Sequence, residues 1–93
     1  MTTPADEEDR ILRTFLIDGR LRAIPTRLSK RRVVLGHIAQ SFEPGVHYPE
    51  QQVNDVLLAF HDDFAALRRY LVEEGLLDRQ AGVYWRSGGP VDV

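Results

Sequence analysis

The sequence predicts an α+β domain, winged-helix-like and mostly helical, with about four helices, a short extended segment and a C-terminal β-hairpin wing. Three observations predict it. Residues 47–86 read in order as short strand, helix, helix and tight hairpin. Two upstream segments carry apolar residues at helical spacing. The last apolar run, Val83-Tyr84-Trp85-Arg86, follows Gln80-Ala81-Gly82, a turn containing glycine.

Each element has its own signal. Residues 1–5 are expected to be disordered. Asp6 to Ile17 is predicted as a first helix, with Ile11, Leu12, Phe15 and Leu16 on one face. Its first turn holds Asp6, Glu7, Glu8 and Asp9, which the helix dipole favours there. Asp18-Gly19 is expected to end it, with Gly19 as a left-handed cap. Arg20 to Pro25 alternates polar and apolar, which suits a short edge strand with Leu21 and Ile24 pointing inward. Ser29 to Phe42 is predicted as the second helix, burying Val34, Ile38 and Phe42, flanked by Leu35 and Ala39. Glu43-Pro44-Gly45 is a turn by composition.

Val46-His47-Tyr48 is held extended by the proline that follows. Pro49 fits the first position of the third helix, whose apolar residues are Val53, Val56, Leu57 and Phe60. His61-Asp62-Asp63 interrupts the pattern and caps a fourth helix, Asp63 to Glu74, buried through Phe64, Leu67 and Leu71. Gly75 ends it. The hairpin runs from Leu76 to Arg79 and from Val83 to Arg86. Trp85 is expected to close the core beneath the wing, leaving Tyr84 partly exposed. A base-stacking role for Tyr84 would have only Arg79 and Arg86 as basic neighbours. Residues 6–86 are taken as one domain and 87–93 as a flexible tail.

Composition narrows the function classes. The chain has 93 residues, 43% of them hydrophobic, with no cysteine. That excludes a disulfide framework, thiolate catalysis and thiolate zinc sites. No run of apolar residues is long enough to span a membrane, and the acidic start lacks the core of a secretory signal. The expected location is cytoplasmic, with no membrane partner. His37, His47 and His61 share no metal-ligand spacing, and neither a nucleophile elbow nor a phosphate loop occurs. No enzyme, no cofactor and no metal site is expected.

Net charge is −2, which argues against a strongly basic nucleic-acid binder. The charge is segregated, however. Between Arg20 and Arg32 stand six cations (Arg20, Arg22, Arg27, Lys30, Arg31, Arg32) and no acid. A phosphate backbone feels that local charge. The cluster surrounds the start of the second helix, whose free amides add positive potential. The competing reading pairs these cations with the acidic first helix or with Asp62 and Asp63.

The fourth helix, which a winged helix would lay in the major groove, is a poor reading head. Its outer face is Asp62, Ala65, Ala66, Arg69 and Glu73, and Arg69 has Glu73 one turn on. Arg68 projects to the flank, toward the second helix or the wing. Asn54 is expected to hydrogen-bond a neighbouring loop.

Four motifs, in order, carry a family resemblance: the basic Gly19-Arg20-Leu21…Ile24-Pro25 segment, Tyr48-x-Glu50-x-x-Val53-Asn54, Asp63…Leu67-Arg68-Arg69…Leu76-Leu77, and Gly82-x-Tyr84-Trp85. Over roughly residues 15–86 the chain resembles the bacterial domain of unknown function 2087 family, whose members stand alone or are joined to helix-turn-helix transcriptional regulators. The resemblance implies a bacterial regulatory setting. It assigns no activity and no catalytic residue.

The leading expectation is therefore a module of bacterial transcriptional regulation. It contacts DNA or another nucleic acid through Arg20, Arg22, Arg27, Lys30, Arg31 and Arg32, helped by Arg69, Arg79 and Arg86. The alternatives are a protein-interaction or dimerisation module, binding a regulatory protein or a second copy through the first helix, and a small-ligand sensor.

Overall fold

The structure, a computed structural model, describes residues 3–88. Residues 1–2 of the expected disordered start and 89–93 of the expected tail lie outside the described residues.

The first helix begins earlier than expected. α1 spans Pro4–Phe15, not Asp6–Ile17, because Thr3 and Asp6 form a capping box. The Thr3 hydroxyl accepts from the Asp6 amide at 3.2 Å, and the Asp6 carboxylate accepts from the Thr3 amide at 3.4 Å. Pro4 occupies the first turn, where its missing N–H costs nothing. Ile11, Leu12, Phe15 and Leu16 pack, partly buried, against the core.

The helix also stops earlier. Leu16–Ile17 (β1) turns back on Arg20–Leu21 (β2), with Leu16 opposite Leu21 and Ile17 opposite Arg20. Asp18-Gly19 is thus a two-residue hairpin turn, not a helix cap. Its φ angles, 52° and 81°, are both positive, as a type I′ turn requires. The strand predicted over residues 20–25 shrinks to Arg20–Leu21, with Leu21 buried and Ile24 partly buried. The Leu21 amide donates to the Phe60 carbonyl at 2.7 Å, tying the hairpin to the loop before the fourth helix.

α2 spans Leu28–Ala39 and carries five buried residues. Val34, Leu35, Ile38, Ala39 and, just past the helix end, Phe42 are fully buried, the set the spacing predicts. β3 (His47–Pro49) follows, then α3 (Glu50–Leu58). Pro49 is the N-cap of α3, one residue before the position expected for it. α4 spans Phe64–Glu73. Asp63 caps it, accepting from the Ala66 amide at 3.2 Å. At the other end Gly75, φ 73°, donates to Val72 and Leu76 donates to Leu71, a Schellman close.

β4 (Leu77–Gln80) and β5 (Val83–Arg86) form the C-terminal hairpin. β5 sits between β3 and β4, so the antiparallel sheet runs β3-β5-β4. The described residues thus form an α+β fold with four helices, two antiparallel sheets and a C-terminal hairpin. The inward face of the wing is the reverse of the expected one. Tyr84 stands opposite Tyr48 and is 1% exposed, whereas Trp85 is only partly buried and lies 5.3 Å from the His47 ring. Burial removes Tyr84 from any base-stacking role. The chain after β5 is also anchored at first: the Ser87 hydroxyl donates to the Gly75 carbonyl at 2.9 Å, and the Gly88 amide donates to Leu76.

Candidate anion-binding surface

The nine cations singled out by the sequence divide sharply once their neighbours are known. Arg20 donates to Asp62 at 2.9 Å and to the carbonyls of Leu58 and Ala59. Arg32 pairs with Glu74 at 2.7 Å. Arg31 donates to the carbonyls of Pro25 and Thr26, and its guanidinium lies over the Tyr70 ring at 4.4 Å. Arg69 faces Glu73 at 3.8 Å, the i,i+4 pair anticipated from spacing. Arg86 donates to the carbonyls of Gly88 and Phe42. These five serve the fold. All but Arg69, whose partner lies one turn along its own helix, join segments about forty residues apart in sequence or satisfy loop carbonyls.

The other four are Arg22, Arg27, Lys30 and Arg79. Among the described residues, none of them meets an acid within ion-pair distance, and none spends its side chain on a hydrogen bond. Arg79 stands alone on β4. Arg22, Arg27 and Lys30 converge. They line adjoining grooves between α1, β2 and the start of α2, floored by Ile11, Phe15, Ile24 and Pro25. Two features of local structure place them there. The Asp18-Gly19 turn sends the chain back along the end of α1, and the Arg22 amide donates to the Phe15 carbonyl at 2.9 Å. Arg27 is the N-cap of α2 and its side chain makes no capping bond. The first turn of α2 has no acid, so its amide dipole reinforces the cations unopposed.

The acidic first helix is not the counter-charge of this cluster. Only Glu7 reaches the groove, on the wall that it shares with Arg10 and Lys30, and no ion pair links α1 to the basic segment among the described residues. The counter-charges are Asp62 and Glu74 instead.

A second polar cluster joins residues from three of the motifs. The Tyr84 hydroxyl donates to the Glu50 carboxylate at 2.8 Å, Arg68 lies 3.8 Å from the same oxygen, and Arg68 also donates to Asn54. Arg68 thus bridges to α3, not to the second helix or the wing, and the partner of Asn54 is a neighbouring helix, not a loop. Spacing places each of these residues on its own element; only the α3–α4 packing and the β5 register bring them together. The cluster locks the wing and α4 onto α3.

Among the described residues no group of three His, Asp or Glu could hold a metal ion, and no helix is long and apolar enough to cross a membrane.

The fold and this surface define an α+β domain with an open cationic groove beside its helix–helix–hairpin core. The chain belongs to the domain of unknown function 2087 family, described as an uncharacterized protein conserved in bacteria, whose family profile matches residues 20–86. The match takes in β2 to β5 and all nine cations, and leaves α1 and β1 outside. No curated protein and no solved structure matches the chain.

Proposed function

We propose that this domain is a non-enzymatic, winged-helix module of bacterial transcriptional regulation, working in the cytoplasm and holding nucleic acid by its phosphate backbone. One observation carries the reading. Of the six cations between Arg20 and Arg32, three have neither an acid nor a hydrogen-bond acceptor for the side chain among the described residues, and those three, Arg22, Arg27 and Lys30, line one set of grooves. Unpaired cations around an uncapped helix start are the arrangement that positions phosphates. In this reading α4 is not the reading head, since Ala65, Ala66 and the Arg69–Glu73 pair give it little with which to hold bases.

Anisotropy titration of labelled oligonucleotides at low and high salt tests this. Binding should weaken steeply as salt rises, because each neutralised phosphate releases counterions. Replacing Arg22, Arg27 and Lys30 together with Ala should remove most of that salt dependence. Each lost phosphate contact flattens the slope by about one. Affinity unchanged in the triple variant would overturn the proposal.

A protein-interaction or dimerisation role is the second reading. Its original support, the apolar stripe of α1, is largely committed to the core of the same chain. What favours it is the exposure of Ile17 (49%), Leu58 (45%) and Leu28 (41%). A sedimentation series across concentration separates a monomer from a self-associating chain.

A further inference from the structure

We infer that the groove takes single-stranded nucleic acid in preference to duplex, with an unstacked base lying against Phe15 and the flanking phosphates held by Arg22, Arg27 and Lys30. The inference rests on the nucleic-acid reading above and deepens it. Phe15 is the residue common to all three grooves of the region. Phe15 packs, partly buried, against the core and also lines the grooves. The cations lie around it on separate walls: Lys30 and Arg27 on the α2 side, Arg22 on the strand side.

A duplex presents phosphates to such a surface and keeps its bases stacked inside. Its backbone would satisfy the three cations and gain nothing from a floor of Ile11, Phe15 and Ile24. A single strand satisfies both. Its phosphates reach the cations, while a base covers apolar surface that is otherwise wet. The combination of a backbone-tracking cationic rim with an aromatic platform is how sequence-tolerant single-strand binding is built. The rest of the molecule agrees. α4 lacks a face equipped for major-groove reading, and the other aromatic candidate, Tyr84, is buried. Glu7, on the first groove's wall, repels phosphate there and directs the backbone toward Arg22 and Arg27.

The experiment uses the full chain and four probes of equal length and label: single-stranded DNA, single-stranded RNA, duplex DNA, and a DNA strand with central abasic sites. Both single strands should bind about tenfold tighter than duplex, and the abasic strand should lose that margin, the worth of one stacked base. Phe15→Leu keeps an apolar side chain on the core and should lose the same tenfold, whereas Phe15→Trp should retain it. The abasic probe makes the test independent of any variant's folding. Equal affinity for intact, abasic and duplex probes, with the Arg22, Arg27 and Lys30 triple variant losing all three, would overturn this inference and leave the phosphate-binding reading standing. Absence of binding to every probe at low salt would overturn both.

Discussion

Around α4 and the wing, every arginine but Arg79 is met by partners: Arg68 by Glu50 and Asn54, Arg69 by Glu73, Arg86 by two backbone carbonyls. Between α1 and α2 the cations Arg22, Arg27 and Lys30 meet none among the described residues. Burial, in turn, sets α1 apart from the rest. α3, α4, β4 and β5 all contribute fully buried side chains, whereas α1 supplies only partly buried ones. The helix–helix–hairpin half is built to hold together. The α1–α2 edge is built with charge left over, and leftover charge of one sign is what an anionic partner can use. Where a fold of this order would be expected to read nucleic acid, at α4, the electrostatics are closed. Where nothing in the element order marks a site, they are open.

The largest test of this contrast is a core truncation on each side. Leu71→Ala, in α4 at 0% exposure, should cost about 3 kcal/mol through lost burial and the cavity left behind. Ile11→Ala, on the partly buried stripe of α1, should cost about 1 kcal/mol. Urea unfolding of both variants checks it. Equal losses would mean that α1 is as integral to the core as α4.

Next is the polar lock. Tyr84→Phe removes the hydroxyl that donates to Glu50 and should cost about 1 kcal/mol. The same substitution in a Glu50→Gln background should cost measurably less, because the two groups share one interaction. Additive losses would mean that the wing is held by packing alone.

This lock also marks the limit of what the sequence makes legible. Caps and glycine stops are local signals, so Asp63, Gly75 and Gly82 place α4 and the hairpin within a residue or two. Period-two alternation says that Tyr84 and Trp85 face opposite ways, but not which one faces in. That is decided by β3, whose Tyr48 lies opposite Tyr84. Asp18-Gly19 is legible in principle, since an Asp-Gly pair between short apolar runs is a strong hairpin signal. The helical spacing of Ile11 to Leu16 masks it, because Leu16 continues the apolar face of α1 while pairing with Leu21. The clustering of positive charge is visible in the residues themselves. Its division into spent and unspent cations is not, because Arg20 and Arg32 each find an acid 42 positions away. Only tertiary packing supplies those contacts.

The hairpin that turns the chain toward the groove offers a comparable test. Gly19 has φ 81° and open space where a Cβ would stand. Gly19→Ala should therefore cost about 1 kcal/mol from backbone conformation alone. Because Arg22 follows the hairpin directly, this variant should also weaken nucleic-acid binding. A stability loss with unchanged affinity would separate the turn from the surface.

The smallest expected effect is the most discriminating. The Arg69–Glu73 pair is exposed on both sides, 64% and 58%, so water and salt screen most of it. Arg69→Ala should change stability by about 0.3 kcal/mol or less. If α4 were the reading head, the same substitution would cost about 1–3 kcal/mol of binding and relax preference at one base. If the groove is the site, oligonucleotide affinity should stay within error of the parent, while loss of Arg22, Arg27 and Lys30 removes it. Measured side by side in the same low-salt buffer, the two variants reverse their ranking between the readings. An Arg69→Ala loss that exceeds the triple variant's would return the function to α4 and make the open cations of the α1–α2 edge incidental.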